Sequence, residues 1–180
     1  MTGVVVRPAL ASEQARIEGL LQFYIYDWSE MEKPESSAFA FNANGQFDPY
    51  PDLADYWKRP DHWAFLIEVD GRSAGFALLN THSHLTDGHI ERNMAEFFVA
   101  RKHRRRGVAL EAVHQILRKH PGQWEIAVAE RNIAAKMFWP KAIESLSGVS
   151  ELHLAQGDGE HWRGPIWCFR CAGLISSKLA

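Results

Sequence analysis

Apolar and polar positions along the chain alternate with two different periods, and the changes of period mark out its elements. The run VVV at Val4 to Val6, closed by Pro8, reads as a first strand. Ser12 offers an N-cap, and Ile17, Leu20, Leu21, Tyr24 and Ile25 follow at helical spacing, so a first helix is expected there. From Met31 to Pro60 the chain is rich in Pro, Asn, Ser, Asp and aromatic residues, with room only for a short helix over Leu53 to Lys58. Long irregular segments inside compact domains are usually functional loops. HWAFLIEVDGRSAGFALLNTH places two apolar runs about Asp70 and Gly71, a pair that tolerates the positive φ angles of a tight hairpin turn. NMAEFFVA is the next strand. A basic run then leads into a helix from Gly107 to Lys119 with Ala109, Val113, Ile116 and Leu117 along one stripe, stopped by His120, Pro121 and Gly122. WEIAVAE reads as a strand, NIAAKMFWPKAIESL as a helix broken or bent at Pro140, and ELHLAQ and PIWCFRCAG as the last strands.

That order implies a fold of the α/β (α+β) class: a mixed, mostly antiparallel sheet of about six or seven strands, with a central parallel strand-helix-strand unit and flanking helices. With 180 residues the chain suits a single domain spanning 1–180. Its hydrophobic content of 46% with seven tryptophans suits a globular core, and no apolar run approaches the ~18 residues of a membrane span. No basic segment followed by an apolar stretch and a small-residue cleavage site opens the chain, so a cytoplasmic setting is expected.

Charge sharpens the picture. Arg101, Lys102, His103, Arg104, Arg105 and Arg106 stand together, yet the net charge is −2. A nucleic-acid binder draws its affinity from a broadly basic surface, and one concentrated loop suits a small polyanion better. The loop enters a helix at Gly107, Val108 and Ala109, where unpaired backbone N–H groups favour phosphate and small residues admit its close approach. The spacing is neither that of a P-loop nor that of a dinucleotide fingerprint. A localisation signal is disfavoured because the run lies between two packing elements.

The segment RRRGVA, Arg104 to Ala109, resembles the R/Q-x-x-G-x-G/A signature of the GNAT superfamily of N-acetyltransferases. Val99 ends a strand just before it, and ERNIAAKMFW resembles the family's next element. The resemblance extends over roughly Val4 to Cys171 and implies the acyl-CoA N-acyltransferase fold, with acetyl-CoA as cosubstrate and no metal. It implies further that Arg104, Arg105, Arg106, Gly107, Val108 and Ala109 hold the pyrophosphate, that Phe97, Phe98 and Val99 line the pantetheine arm, and that Asn132, Phe138 and Trp139 assist cofactor placement. Glu96 is the candidate base for the amine, with an N–H of the strand near Phe98 as oxyanion donor. The family's thiol-protonating Tyr position holds Trp139, whose indole does not titrate. Tyr24, Tyr26, Tyr50, Tyr56 or water is left for that role.

The acceptor is expected to be a primary amine of a small molecule or protein, received by Tyr26, Asp27, Trp28, Glu30, Asp48 and Tyr50 between acids and aromatic faces. A plainer reading makes this region an apolar lid with solvated acids. Two other functions stay open: an acyl-CoA binder without catalysis, motivated by Trp139, and a nucleic-acid module using the basic loop. His82, His84 and His89 raise a metal site, with the first two on one strand face, but no second cluster joins them. Cys168 and Cys171 fall on opposite faces of a strand, which suits core cysteines rather than a redox pair. Exposed edges at the C-terminal strands make a homodimer possible.

Overall fold

The computed structural model describes residues 3–33, 36, 38–85 and 88–172. Of the irregular segment, Pro34, Glu35 and Ser37 lie outside the described residues, as does Gly173 at the end of the last expected strand. The elements follow the order β1 (Val4–Pro8), α1 (Gln14–Ser29), α2 (Asp55–Lys58), β2 (Trp63–Val69), β3 (Arg72–Asn80), β4 (Arg92–Val99), α3 (Val108–Lys119), β5 (Gly122–Ala127), α4 (Ile133–Glu144), β6 (Val149–Gln156) and β7 (Pro165–Cys171). One seven-stranded sheet runs β1-β2-β3-β4-β5-β7-β6. Every neighbouring pair is antiparallel except β4 with β5, joined by the α3 crossover. The expected mixed sheet and its central parallel unit are therefore present.

Local chemistry accounts for most of the elements. Asp70 and Gly71 adopt φ of 50° and 73°, the left-handed pair that a two-residue hairpin needs. Gly75 serves a different purpose, because a Cβ there would stand 2.0 Å from the Phe98 carbonyl oxygen on β4. Ser12 does not cap α1. It lies within a single 3-10 turn at Ala11–Glu13, and the Leu10 N–H is met instead by the Glu13 carboxylate at 3.0 Å. Pro140 sits inside an unbroken α4. Burial of Trp139, Ala142 and Ile143 on that helix outweighs the one backbone bond that proline cannot donate.

The sheet is covered on both sides. On one face α3 and α4 bury Val108, Val113, Ile116, Leu117 and Ile143 against Ile67, Leu79, Met94, Trp124 and Phe169. His114 pins the two helices, its Nε2 lying 3.0 Å from the Ala142 carbonyl oxygen. On the other face α1 and α2 bury Ile17, Leu21 and Tyr56 against Leu66, Phe76, Leu78 and Phe98. The outer edge of β1 is not left bare: Gln115 of α3 accepts from the Val6 N–H at 2.9 Å and donates to the Val4 carbonyl at 3.0 Å.

Replacing Gly75 with Ala forces β3 and β4 apart against backbone that cannot yield. A loss of about 1–3 kcal/mol in urea unfolding is expected, whereas Gly19→Ala, whose added methyl meets nothing within 4 Å, should be neutral or stabilising.

Candidate active site

The parallel pair at the middle of the sheet is joined only at Arg92 with Trp124 and Asn93 with Glu125. Beyond those residues the strands part. The cause lies in β4, where Leu78 of β3 faces Glu96 while Leu79 faces Met94, leaving Ala95 as an extra residue. Such a bulge bends its strand and increases the twist, carrying Met94 to Val99 away from Ile126 and the residues after it.

Ladder geometry decides which peptide groups face the opening. The Ala100 N–H donates to the Ala74 carbonyl at 2.8 Å. Alternate residues of an antiparallel strand point their peptide groups the same way, so Phe98 is also turned to β3, and its carbonyl oxygen lies against Gly75. Of the N–H groups near Phe98 expected to meet an oxyanion, that of Phe98 itself belongs to the ladder. Phe97 and Val99 turn toward the opening instead. The Val99 carbonyl is taken by Arg104 Nε at 2.7 Å.

A cavity of about 940 Å³ fills the space between the strands and extends beneath α1 and the 39–51 segment. Glu96 stands in its wall, on the same face as Phe98. Its carboxylate accepts from the Tyr50 hydroxyl at 2.9 Å and from the Tyr24 hydroxyl. Burial raises its pKa above the ordinary carboxylate range, and the two hydroxyls oppose that rise without cancelling it. The same burial, with the neighbouring negative charge of Glu96, lifts Tyr24 and Tyr50 far above the usual phenol value and Tyr56 to about 12. All three stay protonated, and Tyr24 and Tyr50 donate to Glu96.

The basic run divides its labour. Arg104 donates to Val99 O and to Asp27, and its guanidinium lies 5.6 Å from the centre of the Phe98 ring. Arg101 reaches the same Asp27 at 2.7 Å and Glu30 at 3.5 Å. These two arginines therefore tie the loop to the end of α1. Arg105 and Arg106 are exposed and pair with no carboxylate among the described residues. Arg105 and Gly107 take left-handed φ of 58° and 78°, and nothing lies within 4 Å of where a Gly107 Cβ would be. Two free cations, an open glycine and the first N–H groups of α3, which a helix leaves without internal partners, fit a phosphate-bearing group.

A family model described as the acetyltransferase (GNAT) family matches residues 23–142, more than half of the chain. The chain belongs to the GNAT acetyltransferase family. Its fold is also that of solved GNAT structures, among them an acetyltransferase from Streptococcus agalactiae (17% identity, covering 94% of this chain and 95% of that one, TM-score 0.63). An acetyltransferase from Thermus thermophilus is similar too (15% identity, 93% and 96% covered, TM-score 0.60). So is the diaminobutyrate acetyltransferase of Paenibacillus lautus, solved with L-2,4-diaminobutyric acid and coenzyme A (17% identity, 94% and 96% covered, TM-score 0.54). No curated protein matches by sequence.

Within this GNAT domain the residues singled out earlier separate into groups. Glu96, Phe97, Asn132, Trp139, Trp28, Asp48 and Tyr50 line the cavity. Asn132 also accepts from the Ala135 N–H at 3.0 Å, so its side chain caps α4. Phe138 stacks on Phe97 outside the cavity lining, with ring centres 6.2 Å apart. Asp27, expected to receive the amine, is instead held by the two arginines, and Tyr26 and Glu30 face solvent away from the cavity. His82 and His84 sit on a loop after β3 rather than on a strand, with ring centres 5.3 Å apart. No group of three metal-binding side chains forms among the described residues. Cys168 and Cys171 are buried free thiols of β7, the former raised to about 11 by burial and by Glu125. No helix among the described residues is long and apolar enough to cross a membrane.

Sequence reasoning missed Asn93 and Glu125, both 1% exposed. Glu125 accepts from Ser83 Oγ at 2.7 Å and from the His84 N–H at 3.0 Å, fixing the loop that walls the cavity. A polar residue inside the apolar strand patterns RNMAEFF and WEIA was the signal.

A carboxylate with a raised folded-state pKa lowers stability as pH rises from its unfolded value through the folded one, and that cost persists above. Glu96→Gln removes it, and the tyrosine hydroxyls can accept as well as donate to the amide. The variant should melt at a higher temperature than wild type at pH 7 to 8, with the difference vanishing below the ordinary carboxylate range. Differential scanning calorimetry across pH checks this.

Proposed function

We propose that this GNAT domain moves an acetyl group from acetyl-CoA to a primary amine by direct transfer while both substrates are bound. The observation that carries the reading is Glu96, a buried carboxylate with raised proton affinity in the wall of the parted strands. Acetyl-CoA would lay its phosphates on Arg105, Arg106 and the start of α3, and its pantetheine arm along the open edges of β4 and β5. The Phe97 N–H, on that edge and in the cavity wall, is the oxyanion donor of this reading.

The neutral amine attacks the thioester carbonyl, the nitrogen loses a proton as the C–N bond forms, and the C–S bond breaks to release a thiolate that must be protonated. Glu96 accepts the first proton. A general base works best when its pKa approaches the working pH, and burial moves a carboxylate in that direction. Tyr24, Tyr50 and Tyr56 hold their protons too tightly to serve as the acid, and Trp139 does not titrate. The thiolate then takes its proton from the protonated Glu96 or from water. The tyrosines position Glu96 and keep its pKa from rising further.

The pH dependence of kcat/KM separates these roles. Wild type should lose activity as pH falls, with a midpoint above the ordinary carboxylate range. Tyr50→Phe deletes a donor to the ionised form, so that limb should move to higher pH while kcat on the plateau falls less than about tenfold. Glu96→Gln should lose at least about a hundredfold and the acidic limb with it. A Tyr50→Phe variant that loses plateau kcat with an unmoved acidic limb would make Tyr50 the acid instead.

A further inference from the structure

The cavity opens to solvent along the 39–51 segment, where its lining residues Phe39, Phe41 and Asp48 are exposed. Phe41 is 60% exposed. A lone surface aromatic needs no explanation, but this one is held in place by a small built scaffold. Its ring packs on that of Phe47 with centres 4.6 Å apart, and Phe47 is itself buried. A tight turn joins the two. The Asn42 N–H donates to the Gln46 carbonyl at 2.8 Å, and the Asn42 side-chain oxygen accepts from the N–H groups of Asn44 and Gln46 at 2.9 and 3.1 Å. Gln22 of α1 then pins the turn, accepting from the Phe47 N–H at 2.9 Å and donating to the Phe47 carbonyl at 3.3 Å. The Phe41 ring therefore meets the cavity already ordered, so a ligand that covers its free face gains apolar burial at little further cost in side-chain freedom.

This face lies within reach of the chemistry. Tyr50, whose hydroxyl holds Glu96 at 2.9 Å, is three residues beyond Phe47, so at most roughly 11 Å of chain separates the two. Charge adds little selection at the mouth. Beyond Glu96 and its tyrosines, the titratable groups that line the cavity among the described residues are Asp48, His82 and His84. Asp48 and His82 are exposed, so water screens whatever they offer a ligand. His84 is kept neutral, its pKa lowered to about 4 by burial and then by His82.

We propose that Phe41 is a specificity-determining residue: the acceptor is an amine with an apolar substituent of several carbons, which lies on the free face of Phe41 while the nitrogen meets Glu96. This rests on the acetyl-transfer reading of the cavity. A second ammonium at the far end of the substituent would forfeit the apolar contact for a screened attraction to Asp48.

The test compares ethylamine, butylamine, hexylamine and 1,6-diaminohexane, amines of similar basicity, with saturating acetyl-CoA, following thiol release. Each two-carbon extension from ethylamine to hexylamine should raise kcat/KM at least about fourfold, since one fully buried methylene is worth about that much and the ring covers only one side. Diaminohexane should fall at least about fivefold below hexylamine. Phe41→Ser should cut the hexylamine-to-ethylamine ratio at least about fivefold, whereas Phe41→Leu, which keeps an apolar side chain, should hold it within about threefold of wild type. Calorimetric binding of acetyl-CoA to each variant reports that its fold is intact. A flat series in wild type, diaminohexane used as well as hexylamine, an equally steep series in Phe41→Ser, or equal loss in both variants would overturn this inference alone. No acetylation of any amine by protein that binds acetyl-CoA would overturn the acetyl-transfer reading with it.

Discussion

The structure depends on one interruption of backbone pairing. A parallel pair at the centre of a sheet ordinarily bonds along its length, and here β4 and β5 do so for two registered pairs and then separate. The extra residue at Ala95 causes the separation, and the close approach of Gly75 to the Phe98 carbonyl keeps β4 anchored to β3 while it bends. Unpaired peptide groups inside a protein are costly unless something else pairs with them. The Phe97 edge and the Val99 N–H thus stay open to an extended ligand with its own amide groups, which in the proposed reading is the pantetheine arm.

Everything with a formal charge near the opening is arranged around that gap. Glu96 is buried where an ionised carboxylate is disfavoured, and two tyrosine hydroxyls hold it in place without restoring an ordinary pKa. Asp27 joins the end of α1 to Arg101 and Arg104 and so ties that helix to the loop before α3. Arg105 and Arg106 remain outward and free. The division explains why so basic a run occurs in a chain of net charge −2: part of it braces the fold, and part is left for an anion.

Elements set by local chemistry were legible in the sequence. Asp70 and Gly71 announced their hairpin, the stop after Lys119 ended α3, and RRRGVA marked the start of that helix and carried the family resemblance. Features that need two distant segments were not legible. The bulge at Ala95 exists only as a mismatch of register between β3 and β4, and that mismatch turns Phe97 rather than Phe98 toward the gap. Asp27 is an unremarkable helix residue until Arg104 arrives from far along the chain. Glu96 lay between these cases, since its strand position was readable but its burial beneath Tyr24 and Tyr50 required the folded irregular segment.

The most direct measurement is a crystal structure of the protein with acetyl-CoA. The acetyl carbonyl oxygen is expected within hydrogen-bond distance of the Phe97 N–H, with the pantetheine amides paired to the open edges of β4 and β5 and the pyrophosphate at Gly107 to Ala109. A cosubstrate seated outside the gap, or strands that close on each other beyond Asn93 and Glu125 while the ligand binds elsewhere, would contradict the reading.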